Sequence, residues 1–536
     1  MSKQLDKAKL VKGTKWERMD PVENIGVSTY SLIKDAIQDE KKDLAKDLAD
    51  YAYFWEVKFV RDLNCNLSWG FPEFIRVNYG EYAEIEDLKE AMTRGRGWHL
   101  PFTEKPVLKK RDITPYDYTM EYGWRMLKGH RMGKNDGADG YVIEEYPDRC
   151  EFVWDPCYTG GRPMRGDPIS GTPTWMGPPY NYSGNVAPHP WSFGKTGVPG
   201  YCMHCAWIHN IADVDQRGYL NWATGYPEHP FEPCRYIAYK DVDWIPEKYY
   251  TRIGKTKPKV TSKAPKPKDP DKLIRVIRSD ELGLDWVPTL TMLKNAIDSG
   301  KKAEALKLVD VLRVEQAPRG APHWNWGWVD LIADKYGYNE LYHALRWIYS
   351  PYNPPPAPHE PRPTKATIPS AEERARKAAL WGRSAGSGLN VDCSVRIVDE
   401  ADRIVMELEP CGSSGRSIMK IDKLDDVTAA AAKVLKRAGL ERGPQTGPPW
   451  NFGVTKVAHP VAWGKVGIPH YCTGCCVHIE MGGVARTGYL TEIIERPENA
   501  TDPNCRWLFY KELDDIPEKY YKRIGAKKPA RQRSKR

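Results

Sequence analysis

Apolar residues fall at helical spacing at two matching places along the chain. Residues 30–37 read Tyr-Ser-Leu-Ile-Lys-Asp-Ala-Ile, and residues 291–297 read Thr-Met-Leu-Lys-Asn-Ala-Ile. Because the apolar positions recur three and four residues apart, each stretch is predicted to form an amphipathic helix. A second helix is predicted at 68–79 and at 325–336. Both are followed by glycine, which accepts the left-handed conformation that closes a helix.

Three further helices are predicted, at 85–92, at 340–348 and from Ser370 to Leu380. The last has a strong start signal, because Ser370 is followed three residues later by Glu373. These two side chains can each accept a hydrogen bond from the other residue's backbone amide, which is a capping box.

The pattern then changes from helical spacing to alternation. Residues 140–146 and 148–154 alternate apolar and polar side chains, and so do residues 395–399 and 403–408. Each pair is predicted to form a β-hairpin. Both hairpins lead into an acidic residue, a proline, a cysteine and a glycine-rich turn.

The strongest repetition in the chain surrounds two Cys-x2-Cys pairs. Gly-Val-Pro-Gly-Tyr-Cys-Met-His-Cys at 197–205 matches Gly-Ile-Pro-His-Tyr-Cys-Thr-Gly-Cys at 467–475. The same landmarks flank both copies in the same order: His-Pro at 189–190 and 459–460, Gly-Tyr-Leu at 218–220 and 488–490, Cys-Arg-aromatic at 234–236 and 505–507, and Ile-Pro-Glu-Lys-Tyr-Tyr-x-Arg-Ile-Gly at 245–254 and 516–525. A match this long predicts a tandem duplication, arranged as a pseudo-two-fold pair.

The predicted fold class is α+β, in which each repeat has a helical subdomain followed by a small antiparallel sheet with a Cys-rich metal site. The predicted boundaries are a polar lead-in at 1–27, repeat 1 at 28–254 (helical 28–135, Cys-rich 136–254), a Lys/Pro linker and lead-in at 255–287, repeat 2 at 288–525 (helical 288–385, Cys-rich 386–525) and a basic tail at 526–536. Residues 136–254 are called the first Cys-rich segment below, and residues 386–525 the second.

The net charge of +9 is concentrated outside the repeats. Residues 255–272 carry seven lysines and two aspartates, and the tail 526–536 carries six lysines and arginines. These two segments hold more positive charge than the whole chain, so the folded body is near neutral, which argues against a nucleic-acid interface. The N-terminus has no apolar core, and no run is long enough to span a membrane, so a cytoplasmic location is expected.

Four cysteines are shared by the two repeats. The metal ligands predicted from them are Cys157, Cys202, Cys205 and Cys234 in repeat 1, and Cys411, Cys472, Cys475 and Cys505 in repeat 2. Four thiolates select zinc or an iron–sulfur cluster, one site per repeat, and zinc is favoured because compact ferredoxin-type runs are absent. Four thiolates leave no open position, so the metal is expected to be structural. The alternative is that some of these cysteines are buried core thiols.

Two histidines shared by the repeats are candidate catalytic residues. His189 and His459 could replace a cysteine as metal ligand and so open the site to catalysis. The equally simple interpretation is that each ring makes a hydrogen bond within its own His-Pro turn.

The repeats differ around the Cys-x2-Cys pairs, and a reaction is expected to use the residues that differ. His204 and His209 flank the first pair. Cys476 flanks the second pair and could act as a nucleophile, with His478 as its base. His323 lies in an aromatic stretch that is either a pocket wall or a helix packing its tryptophans.

The glycine-rich turns after the hairpins end at Arg162 and Arg416. Turn amides and a guanidinium together can bind a carboxylate or a phosphate, so both arginines are candidate substrate-binding residues. The turns lack the Lys-Ser/Thr of a nucleotide-binding loop.

The predicted function is a metal-binding enzyme, or a subunit of a multiprotein enzyme, that acts on a small anionic or aromatic molecule. Hydrolase and lyase chemistry fit such a site. A partner enzyme subunit or a homo-oligomer is expected. The alternatives are a non-catalytic, zinc-stabilised scaffold or accessory subunit, and an electron-transfer subunit with iron–sulfur clusters.

Overall fold

The computed structural model contains two compact units, each made of separate stretches of chain. One comprises residues 1–68, 90–98 and 293–536, and the other comprises residues 69–89 and 99–292. The structure describes residues 8–13, 16–96, 142–157, 159–166, 172–229, 231–259, 265–278, 289–316, 321–350, 363–386, 394–409, 411, 452–497 and 504–530.

The helices confirm the mixed α+β prediction. In the first half of the chain they are α1 (Thr29–Gln38), α2 (Lys42–Tyr51), α3 (Lys58–Tyr79), α4 (Glu81–Arg96), α5 (Gly161–Arg165), α6 (Gly200–Ala206), α7 (Ala212–Arg217) and α8 (Lys248–Thr251). In the second half they are α9 (Thr289–Asp298), α10 (Lys302–Gln316), α11 (Ala321–Lys335), α12 (Tyr338–Tyr349), α13 (Ala371–Gly386), α14 (Thr473–Cys475), α15 (Gly482–Thr487) and α16 (Glu518–Lys522). None of the helices in the described part of the chain combines the length and apolar character that a membrane span requires.

Local start and stop signals place several helix ends. At the start of α13 the Ser370 amide donates to Glu373 Oε2 at 2.8 Å, and the Glu373 amide donates to Ser370 Oγ at 3.2 Å. The predicted capping box is therefore confirmed. Gly80 (φ +94°) and Gly337 (φ +88°) occupy the left-handed region, and no heavy atom lies within 4 Å of a Cβ placed on either. A side chain at these positions would have space but would strain the backbone.

Two π-turns interrupt the helices next to the Cys-x2-Cys pairs. Trp207–Ile211 forms one between α6 and α7, and Cys476–Met481 forms the other between α14 and α15. A π-turn closes hydrogen bonds five residues apart and so accommodates one extra residue per turn. Both Cys-x2-Cys pairs are followed by this wide turn.

In the described residues the strands form three antiparallel sheets. The two larger sheets have the orders β5-β6-β4-β3-β7 and β10-β11-β9-β8. The strands are β1 (Leu10–Val11), β2 (Glu17–Arg18), β3 (Val142–Glu145), β4 (Arg149–Trp154), β5 (Ala223–Gly225), β6 (Cys234–Tyr239), β7 (Arg275–Arg278), β8 (Ser394–Asp399), β9 (Arg403–Glu409), β10 (Ile493–Glu495) and β11 (Cys505–Tyr510). Both predicted hairpins, β3–β4 and β8–β9, are present.

One strand comes from a region predicted to be linker. β7 pairs with β3, with Ile277 opposite Ile143, and extends the first sheet at that edge. Part of the predicted linker and lead-in at 255–287 therefore belongs to the sheet.

Residues 28–68 pack within the unit that also contains residues 293–536. Lys34 Nζ lies 2.6 Å from Asp310, joining α1 to α10. At the N-terminal half of α3, Ser68 Oγ donates to Asn325 Oδ1 of α11 at 2.9 Å. Helices from the beginning of the chain therefore pack against helices of the second half, which the predicted boundaries do not describe.

The hydrophobic cores lie against the two larger sheets. Side chains of β9 and β11, including Met406 and Phe509, are buried together with α13 and the second Cys-x2-Cys pair. In the other unit Phe152 and Tyr236 of β4 and β6 pack with three partly buried cysteines. Both Cys-x2-Cys pairs therefore border the apolar core of their own sheet.

Candidate metal centres

Four cysteines meet in the first Cys-rich segment from three elements. Trp154 at the end of β4 lies opposite Cys234 at the start of β6. Cys157 follows β4 by three residues, while Cys202 and Cys205 lie about one turn apart on α6. Strand pairing thus brings two cysteines near each other, and the helix contributes the other two.

These four thiols interact electrostatically. Burial raises the pKa of Cys202, and Cys205, Cys157 and Cys234 raise it further. Burial also raises the pKa of Cys234, and Cys157 and Cys205 add to the shift. A Cβ at Gly160 would lie 3.1 Å from Cys202 Sγ and 3.8 Å from Cys157 Sγ, so glycine leaves room for both sulfur atoms. Such thiols stay protonated on their own, but a coordinated metal converts them to thiolates.

The second Cys-rich segment brings its four cysteines together in the same way. Cys411 follows β9 by two residues, and Cys505 begins β11 opposite Leu408. Cys472 and Cys475 belong to the helical turn 470–475. A hydrogen bond with Cys411 and burial both raise the pKa of Cys505. Burial, Cys411 and Cys472 raise the pKa of Cys475.

In neither set are the four sulfur atoms as close together as the ligands of one bound metal ion. The sulfur atoms of a four-thiolate zinc site lie ~3.8 Å apart, from the zinc–sulfur bond length and tetrahedral geometry. In the described part of the chain, the one group of three or more possible ligand side chains with donor atoms all within 4.8 Å of one another is His204, Cys205 and His209. Each set therefore gathers its thiols in one buried region at a wider spacing than a bound metal imposes.

A tryptophan stacks on the tyrosine that precedes each Cys-x2-Cys pair. Trp69 of α3 lies parallel to Tyr201 with ring centroids 6.4 Å apart, and Trp326 of α11 lies parallel to Tyr471 at 5.2 Å. Both tryptophans are almost fully buried. Aromatic stacking thus attaches a helix to the start of each cysteine turn.

A carboxylate four residues after each tryptophan binds the same part of the following loop. Glu73 Oε1 accepts a hydrogen bond from the Ser183 amide at 3.0 Å, and Asp330 Oδ1 accepts one from the Gly453 amide at 2.6 Å. Ser183 and Gly453 both lie six residues before the predicted histidine of their His-Pro turn. Matching sequence positions therefore make matching contacts.

Both shared histidines make contacts within their His-Pro turns, and His189 also contacts Glu81 of α4. His189 Nε2 lies 2.6 Å from Glu81 Oε2, and its ring stacks on Trp191. His459 Nδ1 accepts a hydrogen bond from the Val461 amide at 3.3 Å. These contacts favour the turn-capping interpretation over a role as metal ligand.

Cys476 and His478 engage different partners. The Cys476 thiol is fully buried and donates to the Pro460 carbonyl at 3.3 Å. Burial, followed by Glu480, raises its pKa well above the usual value. The His478 ring stacks on Tyr349, and burial lowers its pKa to about 3. A thiol bonded to the Pro460 carbonyl and an imidazole stacked on Tyr349 are not oriented as a nucleophile–base pair, and the lowered pKa makes His478 a weak base.

The remaining candidates are only partly described. Arg162 lies in α5 with its side chain buried, and its amide donates to the Cys157 carbonyl at 2.8 Å. Arg416 and the side chain of His323 lie outside the described residues. Anion binding by the two arginines stays a prediction.

A cleft borders the cysteines in each Cys-rich segment. The cleft in the first has a cavity volume of about 500 Å³, and the cleft in the second about 690 Å³. The first is lined by Met164, Met176, Pro188, Gly194, Lys195, Thr196, Gly197, Tyr226, Pro227, Glu228 and His229. The second is lined by Glu407, Glu409, Trp463, Lys465, Glu495, Arg496, Pro497, Asn504, Cys505, Arg506, Lys519, Tyr520 and Arg523.

The two clefts occupy matching sequence positions but differ in chemistry. Tyr226 in the first matches Arg496 in the second, and each forms a hydrogen bond with the first cysteine of its Cys-x2-Cys pair. The lining of the first cleft includes two methionines, one tyrosine and one histidine, whereas that of the second has five cationic and three acidic side chains. Sequence reasoning missed both residues, although the offset of 270 that relates Cys202 to Cys472 and Leu220 to Leu490 also aligns them.

His204, Cys205 and His209 form the tightest donor group. His204 Nε2 lies 3.5 Å from Cys205 Sγ, and the rings of His204 and His209 lie 6.2 Å apart. The sequence placed both histidines near the cysteine pair but did not select them as ligands, because ordinary helical spacing would separate them.

The comparisons with known proteins returned nothing that identifies the chain. No family model, no curated protein and no solved structure matches it.

Proposed function

We propose that this chain is a duplicated metal-binding protein in which each four-cysteine set holds one zinc ion that stabilises its Cys-rich segment. In this proposal the cleft beside the second set binds a small anionic molecule, as part of an enzyme or of an enzyme subunit. An iron–sulfur protein for electron transfer is the main alternative for the same eight cysteines.

The observation that carries the proposal is the convergence of four thiols in both segments. Buried thiols are common as single residues, but four that lie close enough to interact electrostatically indicate a shared site. Zinc binding would turn the metal affinity into folding free energy, which suits segments with long loops between short strands.

Duplication is supported by corresponding structure. β3, β4, β5 and β6 have the same order in their sheet as β8, β9, β10 and β11. The Trp–Tyr stacks and the carboxylate–amide hydrogen bonds recur at matching positions. One ancestral segment present twice explains these correspondences with a single event.

Metal analysis of the full-length protein tests the four-cysteine proposal. Protein purified without oxygen should be colourless and hold at least two zinc ions per chain, one for each four-thiolate site. Cys202→Ser and Cys472→Ser should each lose about one ion and unfold at lower temperature. Cys65→Ala, which changes a buried cysteine outside both sets, should keep the full metal content.

Two outcomes would contradict zinc. A brown protein containing iron and sulfide would assign the same cysteines to clusters. Metal-free protein of unchanged stability after serine substitution would remove the four-cysteine site altogether.

The second cleft favours a small anion because its five cationic side chains outnumber its three acidic ones. Several of them already form ion pairs, such as Arg506 with Glu495 at 3.2 Å. Arg496 contacts the Cys472 thiol, so an anion in the cleft would lie close to the cysteine set. The proposed ligand is therefore small and carries one or two negative charges, such as a carboxylate or a phosphate.

Calorimetric titration with inorganic phosphate and with succinate tests the cleft. Binding should weaken at least about tenfold in Lys519→Met/Arg506→Met, because two cations of the lining are removed. Lys522→Met is the control, since Lys522 lies on the same helix as Lys519, pairs with Glu518 and does not line the cleft. Equal affinity in all three proteins would remove the anion-binding proposal.

A further inference from the structure

We propose that His204, Cys205 and His209 form a separate transition-metal site in the first Cys-rich segment, with two imidazole nitrogens and one thiolate as ligands. The site goes beyond the four-cysteine proposal, because it uses histidines that the proposal leaves out. It shares Cys205 with the first set. A thiolate has more than one lone pair, so Cys205 can bridge two metals or serve this site alone.

The hydrogen bonds of His204 fix the tautomer that a ligand needs. Its Nδ1 contacts the Tyr201 carbonyl, which can only accept, so Nδ1 carries the proton. Nε2 is then left with the lone pair that binds a metal, and it faces Cys205 Sγ. Metal-binding histidines usually donate their other N–H to a carbonyl or carboxylate in this way.

The distance between these two donor atoms agrees with the donor spacing in a tetrahedral zinc site. Zinc–nitrogen and zinc–sulfur bonds at a tetrahedral angle place the two donors ~3.6 Å apart. His204 Nε2 and Cys205 Sγ are 3.5 Å apart. The pair therefore already has the spacing of two ligands in one coordination sphere.

The π-turn places the third donor, His209, close to His204 and Cys205. His209 follows His204 by five residues, which in a regular α-helix would rotate it by about 140° from His204. The helix widens over Trp207–Ile211, and this turn closes bonds five residues apart. The donor atoms of His204, Cys205 and His209 consequently all lie within 4.8 Å of one another.

Packing holds both imidazoles in place. The His204 and His209 side chains are each 7% exposed, and the His209 ring lies 5.4 Å from Trp222 and 5.5 Å from Tyr236. Rings fixed in this way lose little further freedom when they bind a metal. The site is therefore preorganised before any metal arrives.

The donor set selects the class of ion and leaves room for a further ligand. Imidazole and thiolate favour zinc, cobalt, nickel and copper over magnesium and calcium. Three protein ligands leave the fourth tetrahedral position open, as in catalytic zinc sites. The Tyr236 hydroxyl lies 3.4 Å from Cys205 Sγ, where it can bond to a molecule in that position.

The second Cys-rich segment provides a natural comparison. Gly474, Cys475 and Ile479 occupy the matching positions, and the π-turn Cys476–Met481 is present. The wide turn is thus kept where both imidazoles are absent. The metal site is therefore a specialisation of the first segment.

Cobalt(II) titration of reduced, metal-free full-length protein tests the site. Wild type should bind one more equivalent of cobalt(II) than the double variant His204→Asn/His209→Asn. The variant should also lose the cobalt absorption bands of the mixed nitrogen–sulfur site. His229→Asn, which changes an exposed histidine of the same segment, should match wild type. The same stoichiometry and spectrum in the double-histidine variant as in wild type would overturn the proposal.

Two further variants separate this site from the four-cysteine proposal and from misfolding. Cys157→Ser/Cys234→Ser removes half of the first set but should keep the cobalt bands that the histidine variant loses. If those bands vanish in it as well, the histidines do not form a site of their own. Gly474→His/Ile479→His should add one equivalent to the second segment, where a Cβ at Gly474 has Tyr349 Oη as its nearest neighbour at 3.6 Å. If this variant binds no additional cobalt, the donor geometry proposed for His204, Cys205 and His209 is wrong.

Discussion

The two Cys-rich segments share a strand order but differ in the polar groups they bury. In the second, Glu480 is fully buried and lies 2.6 Å from Arg523. The matching residues of the first are Asn210 and Arg252, and Arg252 donates to the Thr224 carbonyl. The first segment thus has a neutral amide where the second has a buried carboxyl group next to a guanidinium, and so avoids the cost of desolvating a carboxylate.

Elsewhere too, the two segments share packing contacts but differ in the side chains next to their cysteines. Trp69 and Trp326 make equivalent stacks, so the attachment of helix to cysteine turn is common to both segments. At the cysteines, in contrast, His209 matches Ile479 and Tyr226 matches Arg496. The contact that attaches a helix to the cysteine turn is therefore the same in both segments, while side chains beside the cysteines differ.

The largest expected effect concerns the shared tryptophans. Trp69→Ala and Trp326→Ala should each lower the free energy of unfolding by about 4 kcal/mol, because each empties a buried aromatic site. Chemical denaturation of the metal-loaded protein measures this. Tyr82→Ala, at a side chain that is 70% exposed, should change stability by less than about 0.5 kcal/mol. A large loss for one tryptophan alone would break the equivalence of the two segments.

The buried carboxylate should make the second segment sensitive to pH. Burial raises the pKa of Glu480 to about 7, and Arg523 opposes the shift only in part. Between pH ~4.5 and ~7 the folded protein therefore holds a proton that the unfolded chain has lost, so stability falls as pH rises. The loss should reach about 3 kcal/mol by neutral pH.

Denaturation at several pH values measures this dependence. Glu480→Gln should flatten it, because the amide cannot ionise. Glu518→Gln, at an exposed carboxylate of the same segment, should leave it unchanged. An unaltered profile in Glu480→Gln would show that the pH response arises elsewhere.

The smallest effect distinguishes the two tryptophans from each other. Trp69 Nε1 donates to the Thr159 carbonyl at 2.8 Å, whereas Trp326 Nε1 is buried without a hydrogen-bond partner. Trp69→Phe should therefore cost about 1 kcal/mol more than Trp326→Phe, the typical net value of one hydrogen bond. Thermal unfolding of the two variants side by side measures the difference, and equal costs would mean that the bond contributes nothing.

Local signals in the sequence were sufficient to predict most of the helices and strands. The Ser370–Glu373 capping box and the glycines after α3 and before α12 marked helix ends, because caps depend on neighbouring residues alone. Alternation predicted β4 and its partner for the same reason. These features are decided within a few residues of chain.

Other features depend on distant or unusual geometry. The pairing of α1 with α10 could not be read from amphipathic spacing, because the apolar stripes of the two repeats are alike. β7 joins its sheet through backbone hydrogen bonds at an edge, which requires no particular side-chain pattern. The approach of His209 to His204 needs a π-turn, and composition gives no signal for one.

The chain also changes units four times, at about residues 68, 89, 98 and 292. Residues 28–68 belong with residues 293–536, although the Lys/Pro linker lies between them in sequence. Cleavage of that linker by a protease should therefore leave two fragments that co-purify. Expression of residues 1–254 alone should give an insoluble product until residues 265–536 are supplied as a separate chain. The two halves of the chain would then behave as complementary fragments that must be folded together.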